Sequence, residues 1–270
     1  MHNQQHIKSA ISVLIPSFNG IALLQKHLPS VIEQLVEGDE IVIIDDGSSD
    51  GTQDYIKQKL RHAQVHVHRI NENVRFARAV NNGVAVAKNN FIFLCNNDVQ
   101  LAEDCLNTVR SYTQDETVFA VGCLEYEEQP GGEKSGKNKL WFSRGLFQHS
   151  KANDFSSGET AWASGGSALF SKLKWNKLGG FDEHFAPAYW EDVDLSFRAR
   201  KRGWKVLFDE KAIVLHKHET TNASVFGKLA LDETSWQHGQ YFTWKHASIV
   251  QKLAFIMWWP YWFVLRMSTS

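Results

Sequence analysis

The chain has 270 residues, of which 43% are hydrophobic and 22% charged, and its formal net charge is −1. These proportions are those of a folded globular protein with a sizeable core, and they exclude an intrinsically disordered chain. A charge balance so close to zero gives no reason to expect a nucleic acid as partner.

The first half of the chain alternates strand and helix patterns. Strands are predicted over residues 11–15, 40–44, 65–70, 91–95 and 118–124, and helices over 21–36, 52–61, 75–88 and 101–112. Continuous apolar strands separated by helices are typical of a mostly parallel sheet covered on both faces. The sequence therefore predicts an α/β fold.

Residues 125–160 differ in composition, because Gly, Ser, Lys and Glu dominate there. We expect a mobile loop or insertion in this segment. Beyond it the pattern predicts a strand over 162–170, a turn-rich connector over 174–185, a helix over 192–202 and strands over 204–208 and 212–218.

The cysteines and the N-terminal residues bear on the compartment. Cys95, Cys105 and Cys123 lack CxxC spacing, and Cys95 and Cys123 stand in apolar runs. We expect buried, reduced thiols rather than disulfides or a zinc site. The first ten residues, MHNQQHIKSA, lack the apolar core of a secretory signal. Both features predict a cytoplasmic protein.

Three predicted strands end in small, polar or acidic residues. These are Pro16, Ser17, Phe18 and Asn19, then Asp45 and Asp46, then Asn96, Asn97 and Asp98. In an open parallel sheet, ligands bind beyond the carboxyl ends of the strands. Asp and Asn are also ordinary turn residues, so one such loop alone favours a structural role. Three together favour a nucleotide site.

A second group of candidates lies later in the chain. Acids in a first helical turn complement the helix dipole, which accounts for Asp194. The pair Glu191 and Asp192 follows the apolar residues 186–190, where a carboxylate with a raised pKa would suit general-base work. His216 and His218 lie two apart at a strand end, so they are candidate metal ligands as well as ordinary surface or core histidines.

Six motifs follow one another in a recognisable order: IPSFNG, IIDDGSSDGT, NVRFARAVNNG, FLCNND, GGFDEHFAPAYWEDVDLSFRARKRGW and VLHKH. Over roughly residues 10–220 the chain resembles glycosyltransferase family 2. The resemblance implies an inverting enzyme with the GT-A fold, a Rossmann-like nucleotide-binding fold, that uses nucleotide-diphosphate sugars. Within the family, the NND sequence is similar to the rhamnosyltransferase-like branch.

The resemblance also implies roles for individual residues. The residues implied in binding a donor of the UDP or dTDP type are Pro16, Ser17, Phe18, Asn19, Asp46, Asn73, Arg78, Asn96 and Asn97. Asp98 and His216 would bind Mn²⁺ or Mg²⁺ at the diphosphate, and Asp192 would be the catalytic base. The acceptor would be a hydroxyl of a glycan or of a lipid-linked carrier in cell-surface polysaccharide synthesis.

Two positions depart from the family pattern. Arg75 stands where the family usually has Gly, and its side chain would contact the diphosphate or point to solvent. Asn96 replaces the first acid of the DXD motif, which leaves the metal fewer protein charges. The alternative of an inactive member that binds nucleotide sugars, or acts as a scaffold in a membrane assembly, therefore stays open. A nucleotidyltransferase is less favoured, because residues 15–20 are neither Gly-rich nor basic.

The acceptor side is predicted from aromatic and small residues. The candidates are Trp162, Gly165, Gly166, Trp190 and Glu191. Aromatic faces stack on sugars, and glycines allow close approach to the backbone. Core packing accounts for each tryptophan equally well.

The C-terminal segment contains an uncharged aromatic run, LAFIMWWPYWFVL, over residues 253–265. A membrane-spanning helix needs about 20 apolar residues, so this run is too short to cross a bilayer. We expect a catalytic domain over 1–220 and a helical, aromatic-rich tail over 221–270. The tail would lie at a membrane interface, on the inner face of the plasma membrane, or pack on the domain or a second copy.

Overall fold

The computed structural model describes residues 9–60, 63–127, 131–216 and 228–267. Their strands are β1 (Ile11–Ser17), β2 (Glu40–Asp46), β3 (Val65–Ile70), β4 (Phe91–Cys95), β5 (Val99–Leu101), β6 (Val118–Glu127), β7 (Lys134–Ser135), β8 (Asn138–Ser143), β9 (Leu146–Lys151), β10 (Gly158–Glu159), β11 (Ser167–Ser171) and β12 (Lys205–His216).

The helices of the described residues connect these strands or follow them. They are α1 (Ile21–Ile32), α2 (Thr52–Asp54), α3 (Phe76–Val86), α4 (Cys105–Arg110), α5 (Lys172–Leu178), α6 (Glu191–Lys201), α7 (Lys228–His246) and α8 (Ile249–Met267). A π-helix over Tyr55–Leu60 continues α2, and 3₁₀ turns occupy Ser111–Gln114 and Glu183–Phe185.

The main sheet has the strand order β10-β12-β6-β11-β4-β1-β2-β3, with β5 paired to β12 and β7 to β6. Strands β3, β2, β1 and β4 are parallel neighbours, as are β6 and β12, while β11 runs antiparallel between β4 and β6. The predicted α/β class and mostly parallel sheet are confirmed. The carboxyl ends of β1, β2, β4 and β12 therefore point to the same edge.

Helices cover both faces of the sheet because the strands are apolar on both faces. Val13 and Ile15 of β1 pack in one core with Leu24 of α1. Leu14, on the opposite face, packs in a second core with Val80 of α3. Burial on both sides fixes the register of β1, since a shift by one residue would exchange the two faces.

Residues 125–160, predicted as a mobile loop or insertion, contain four short strands, and β8 and β9 form a hairpin. Ser143 pairs with Leu146, so Arg144 and Gly145 make a two-residue turn. Their φ angles of 49° and 80° are the positive values that a type I′ hairpin turn requires. Over residues 138–151 the structure therefore has a paired hairpin where a loop was one of the two expectations, and the alternative of an insertion stays a prediction.

The hairpin is held by aromatic contacts with helices. The Phe147 ring of β9 lies 5.6 Å from the Phe197 ring of α6 and 5.3 Å from the Phe242 ring of α7. Phe242 is fully buried in a third core with Phe185 and Trp190. Helix α7, although assigned to the predicted tail, therefore packs closely on the rest of the described chain.

Two smaller expectations also differ from the structure. Helix α5 occupies part of the segment predicted as a turn-rich connector. The strands predicted over 204–208 and 212–218 form one strand, β12, with a register shift between Asp209 and Ile213. His218 lies outside the described residues. Among the helices that the structure describes, none combines the length and the apolar character that a membrane crossing requires.

Candidate active site

A cavity of about 600 Å³ opens at the carboxyl ends of β1, β2 and β4. The sequence-predicted residues that line it are Pro16, Ser17, Phe18, Asp46, Asn73, Asn96, Asn97, Asp98, Gly165, Gly166, Glu191, Asp192 and His216. The parallel arrangement of the strands explains why loops so distant in sequence meet at one edge.

Asp46, at the end of β2, fixes the loop that precedes α3. Its two carboxylate oxygens accept the backbone N–H of Val74 at 2.8 Å and of Arg75 at 3.1 Å. Burial raises the pKa of Asp46, although both hydrogen bonds act in the opposite direction. Each oxygen keeps a second lone pair, so the carboxylate retains acceptor capacity toward a ligand.

Asn96 and Asn97 join neighbouring walls of the cavity. Asn97 Nδ2 donates to Ser17 Oγ at 3.0 Å, which links the ends of β4 and β1. The backbone N–H of Asn96 donates to the Gly166 carbonyl at 2.9 Å. A Cβ atom at Gly166 would lie 2.7 Å from Asn96 Nδ2, so a larger residue would displace that amide.

Asp98 and His216 lie side by side in the cavity wall. His216 Nε2 lies 3.3 Å from Asp98 Oδ1, and its Nδ1 lies 4.0 Å from Glu125 Oε2. Burial lowers the pKa of His216, but the hydrogen bonds and charges of Asp98 and Glu125 outweigh it and raise the pKa to about 10. The protonated imidazole thus balances two buried carboxylates.

The same pair has the ligand types that could hold a divalent ion. Asp98 Oδ1 is buried, and among the described residues the ion pair with His216 takes the place of a well-aligned hydrogen bond. Within the described ranges, no three His, Cys, Asp or Glu side chains are arranged to hold a metal. A single carboxylate fits Mg²⁺ or Mn²⁺ when substrate phosphates and water supply the other ligands.

Asp192 begins α6 and borders the cavity. It accepts the backbone N–H of Gly165 at 3.1 Å and of Val193 at 2.8 Å. Burial raises the pKa of Asp192 to about 6, against the lowering effect of these hydrogen bonds. An Asp with this pKa is ionised at neutral pH and is a stronger base than an ordinary aspartate.

Glu191 differs from its neighbour because it is buried without comparable hydrogen bonds. Its Oε2 atom has no hydrogen-bond partner among the described residues. Burial, together with the Asp192 charge, raises the pKa of Glu191 well above its ordinary value. A protonated carboxyl group can donate a hydrogen bond to a ligand in the cavity.

Four sequence-predicted residues do not line the cavity. Asn19 Oδ1 instead accepts the Ser49 N–H at 2.8 Å, so it ties two loops together. The Arg78 side chain is exposed and lies 3.8 Å from Glu183. Trp162 and Trp190 are also absent from the walls.

The two tryptophans support the cavity from behind. The His149 ring packs edge-on against both, with centroid distances of 5.4 Å to Trp162 and 4.8 Å to Trp190. The indole N–H of Trp190 donates to Ser235 Oγ at 3.3 Å. Packing against neighbouring side chains therefore accounts for both tryptophans, and stacking on an acceptor sugar stays a prediction.

Several lining residues were missed by sequence reasoning. They are Phe76 and Ala79 of α3, His149 of β9, and Leu231, Asp232 and Ser235 of α7. Arg75, which the sequence marked as a departure from the family pattern, also lines the cavity. Burial lowers the pKa of His149, so its imidazole is neutral. No local pattern marks the α7 residues, because they reach the cavity only through tertiary packing. The apolar stretch 186–190, recognised as a wall in the sequence, contributes Pro187, Ala188 and Tyr189.

The family model described as Glycosyl transferase family 2 matches residues 12–176. The chain is 25% identical over 224 residues to the O-antigen chain rhamnosyltransferase RfbN of Salmonella typhimurium, covering 80% of this chain and 69% of that protein. It is 27% identical over 213 residues to the GalNAc(5)-diNAcBac-PP-undecaprenol beta-1,3-glucosyltransferase of Campylobacter jejuni, covering 77% of this chain and 62% of that protein.

The fold has a counterpart among solved structures. The mannosyltransferase PcManGT from Pyrobaculum calidifontis, in complex with GDP-Man and Mn²⁺, superposes with a TM-score of 0.64 at 15% identity. The match covers 94% of this chain and 74% of that one. At this identity the likeness shows the fold alone, which is the GT-A fold.

Proposed function

The chain belongs to glycosyltransferase family 2, and on that premise we propose that it is an inverting, metal-dependent enzyme. It moves a sugar from a nucleotide-diphosphate sugar to a hydroxyl of a glycan or lipid-linked acceptor. One observation carries the proposal. Asp46, the pair Asp98 and His216, and Asp192 all border the same cavity.

The donor lies along the strand ends. Pro16, Ser17 and Phe18 form one wall of its nucleoside site, and Asp46 and Asn73 form the other. Asp46 accepts hydrogen bonds from the base, because its oxygens keep lone pairs free of the backbone contacts. We propose a UDP- or dTDP-type donor, and the relative named as a rhamnosyltransferase supports a deoxyhexose as one candidate sugar.

Asp98 and His216 would hold Mn²⁺ or Mg²⁺, with Asn96 and Asn97 beside them. Because a ligating imidazole must be neutral, a bound ion would take the place of the proton that Asp98 and Glu125 keep on His216. The ion supplies Lewis-acid stabilisation of the departing nucleoside diphosphate. The Mn²⁺ in the structure of the mannosyltransferase supports this assignment.

Asp192 is the general base of the proposed reaction. It accepts the proton of an acceptor hydroxyl while that oxygen bonds to the anomeric carbon. The bond from that carbon to the diphosphate oxygen breaks on the opposite side, so the configuration is inverted. The N–H groups of Gly165 and Val193 hold the carboxylate in place throughout. Positioned general-base help is worth about 10²–10⁴-fold in rate.

The acceptor occupies the part of the cavity between Asp192 and helix α7. Glu191 donates a hydrogen bond to it, and Gly165 and Gly166 allow it to approach the backbone. His149 and Tyr189 add a neutral imidazole and an aromatic side chain to the walls. The name of the Campylobacter jejuni relative specifies an undecaprenol-linked glycan, which supports a role in polysaccharide synthesis on a lipid carrier.

A lipid-linked acceptor requires contact with a membrane, and α8 offers the surface for it. The exposed apolar side chains of α8 on one side are Ile249, Val250, Leu253, Ile256, Met257, Phe263 and Val264. Their spacing places them on one face of a helix. We call this surface the outward face of α8. It is apolar, whereas the solvent-exposed face of an ordinary surface helix is polar.

The opposite face of α8 packs on the protein. Trp262 Nε1 donates to the Arg144 carbonyl at 2.7 Å, and the Arg144 guanidinium donates to the Tyr261 hydroxyl at 2.6 Å. The helix contains no acidic residue, and Lys252 and Arg266 flank its aromatic run. Trp and Tyr beside basic residues suit the headgroup region of a bilayer. We therefore assign the outward face to a peripheral contact with the inner face of the plasma membrane.

Replacement of the base tests the proposed reaction. Asp192→Asn removes the proton acceptor but preserves shape, so donor binding stays while turnover falls about 10²–10⁴-fold. Transfer of labelled sugar into a membrane lipid extract measures turnover, and ligand-induced thermal shift measures donor binding. Asp115→Asn, an exposed aspartate outside the cavity, is the matched control and keeps both. An unchanged transfer rate in Asp192→Asn would remove Asp192 from the mechanism.

A further inference from the structure

Helix α7 forms a wall of the cavity beside the proposed base. Leu231, Asp232 and Ser235 of this helix line the cavity. Ser235 Oγ accepts the indole N–H of Trp190 at 3.3 Å, and Trp190 comes two residues before Asp192. Asp232 precedes Ser235 by three residues, so both lie on one face of α7, about 4.5 Å apart along its axis. Asp232 therefore borders the part of the cavity that we assign to the acceptor.

Close packing holds α7 against the residues that precede the base. His238 Nδ1 lies 3.1 Å from the carbonyl oxygens of both Ala188 and Tyr189. Gly239 lies against the Trp190 ring, because a Cβ atom at this position would be only 2.9 Å from Cζ2 of that ring. A side chain on the cavity face of α7 therefore stands on an element with a fixed position, which suits recognition of a ligand.

The Asp232 side chain has no partner that explains its place on this wall. Among the residues that the structure describes, none makes a hydrogen bond or an ion pair with it. Its two carboxylate oxygens can therefore accept hydrogen bonds from neighbouring hydroxyl groups of a sugar. Leu231, next to it, is buried and adds an apolar surface for the C–H groups of the same sugar ring.

The charges on this side of the cavity are of one sign. Asp192 and Asp232 both lie there, and the imidazole of His149 is neutral. Of the described residues that line the cavity, Arg75 alone is an arginine or lysine, and its backbone is held by Asp46 in the proposed nucleoside site. A carboxylate or phosphate on an acceptor sugar would therefore meet two carboxylates without a compensating cation, which is unfavourable.

We propose that Asp232 selects the acceptor sugar: it accepts hydrogen bonds from hydroxyl groups of a neutral sugar and disfavours a sugar that carries a carboxylate or a phosphate. The proposal rests on the proposed function, since it presumes a sugar acceptor beside Asp192. Helix α7 lies beyond residues 12–176, which the family model matches, so family membership does not determine what this helix binds. A specificity built on Asp232 combines attraction of one class with repulsion of another.

Saturation-transfer difference NMR of the full chain with methyl glycosides tests the proposal, in the presence of Mg²⁺ and UDP or dTDP. The neutral probes are the methyl glycosides of glucose, galactose and mannose. Each has a matched anionic probe, the methyl uronide of the same sugar, in which a carboxylate replaces the hydroxymethyl group. In wild type at least one neutral glycoside binds, and its uronide binds at least about tenfold more weakly.

Two variants of α7 assign the selection to one side chain. Asp232→Asn lowers the ratio of neutral to uronide affinity about tenfold, because the neutral sugar loses a hydrogen bond to a charged group and the uronide loses a repulsion. Its melting temperature equals that of wild type, since the carboxylate has no partner among the described residues. Glu233→Gln is the matched control, because Glu233 is the next acid on α7 but does not line the cavity. It leaves the ratio unchanged.

The outcomes separate this proposal from the proposed function. A uronide that binds wild type as tightly as its neutral counterpart would overturn the proposal, as would an unchanged ratio in Asp232→Asn or an equal change in Glu233→Gln. Absence of binding by all three neutral glycosides, when UDP or dTDP raises the melting temperature, would also overturn it and leave the proposed function standing. Failure of both UDP and dTDP to raise the melting temperature with Mg²⁺ would contradict the proposed function itself.

Discussion

Among single residues, the three carboxylic acids of the segment WEDVD, residues 190–194, have different pKa values because their surroundings differ. Glu191 is buried without a partner for Oε2, and its pKa is raised well above the ordinary value. Asp192 is half-buried and held by backbone N–H groups, and its pKa is raised to about 6. Asp194 is fully buried, yet Arg198 and His246 contact it and its pKa is lowered. Only Asp192 combines ionisation at neutral pH with raised basicity.

The pKa of Asp192 predicts the acid limb of the activity profile. The base must be ionised, so kcat/KM falls tenfold per pH unit below about 6 and levels off above it. Sugar transfer measured from about pH 4.5 to about pH 8 covers both sides of this pKa. A rate that stays constant down to pH 4.5 would contradict the assignment, since it indicates an ordinary aspartate.

The ion pairs of Asp182 and Asp194 keep their stabilising effect over most of that pH range. The pKa values of Asp182 and Asp194 are lowered by hydrogen bonds and by the charge of Lys245, which outweigh the effect of burial. A lowered pKa gives stability that is present above the unfolded-state value of about 4 and is lost only as pH falls further. Far-ultraviolet circular dichroism at each pH provides the control for folding.

At the scale of elements, the C-terminal helices divide into two kinds. Helix α7 lines the cavity through Leu231 and Ser235, and its Lys245 lies 2.7 Å from the half-buried carboxylate of Asp182 and the buried carboxylate of Asp194. Helix α8 packs through one face only. The division of the chain at residue 220 stays a prediction, but α7 shares its core and cavity with the preceding elements.

The outward face of α8 predicts binding to lipid vesicles. A triple variant, Leu253→Ser, Ile256→Ser and Met257→Ser, removes three side chains that are at least 60% exposed. Each contributes about 1.5–3 kcal/mol when fully buried, so recovery with phosphatidylglycerol vesicles falls at least tenfold in flotation. Leu173→Ser is the matched control, because Leu173 is also 62% exposed but belongs to α5.

Equal recovery of the triple variant and wild type would reject the membrane assignment. Light scattering distinguishes the main alternative. A wild type that does not float but dimerises, and a triple variant that is monomeric, would show that the outward face of α8 contacts a second copy instead.

The sequence predicted those strands and loops that have a recognisable pattern within a few consecutive residues. The apolar runs of β1, β2 and β4 are buried on both faces, and the polar residues that follow them meet at the cavity as expected. The β8–β9 hairpin was missed, because its stability depends on rings of α6 and α7 that lie far away in sequence. The α7 residues of the cavity were missed for the same reason.

At the level of the whole molecule, the sheet, the hairpin and helices α3, α6 and α7 together form a cavity that no single element could make. Its walls come from β1, β2, β4, β9, β12, α3, α6 and α7 or from loops beside them. Among the described residues, the proposed ligands of a metal ion are one carboxylate and one imidazole, those of Asp98 and His216. We therefore expect metal and nucleotide sugar to bind together rather than separately.

Thermal unfolding of the wild-type chain with a panel of nucleotide-diphosphate sugars, with and without Mn²⁺, tests whether metal and donor bind together. At 100 times its Kd, a donor stabilises the folded state by about 2.7 kcal/mol. We expect that one donor raises the melting temperature strongly with Mn²⁺ and weakly without it, while Mn²⁺ alone has little effect. An unchanged melting temperature with every nucleotide sugar, in the presence of Mn²⁺, would contradict it.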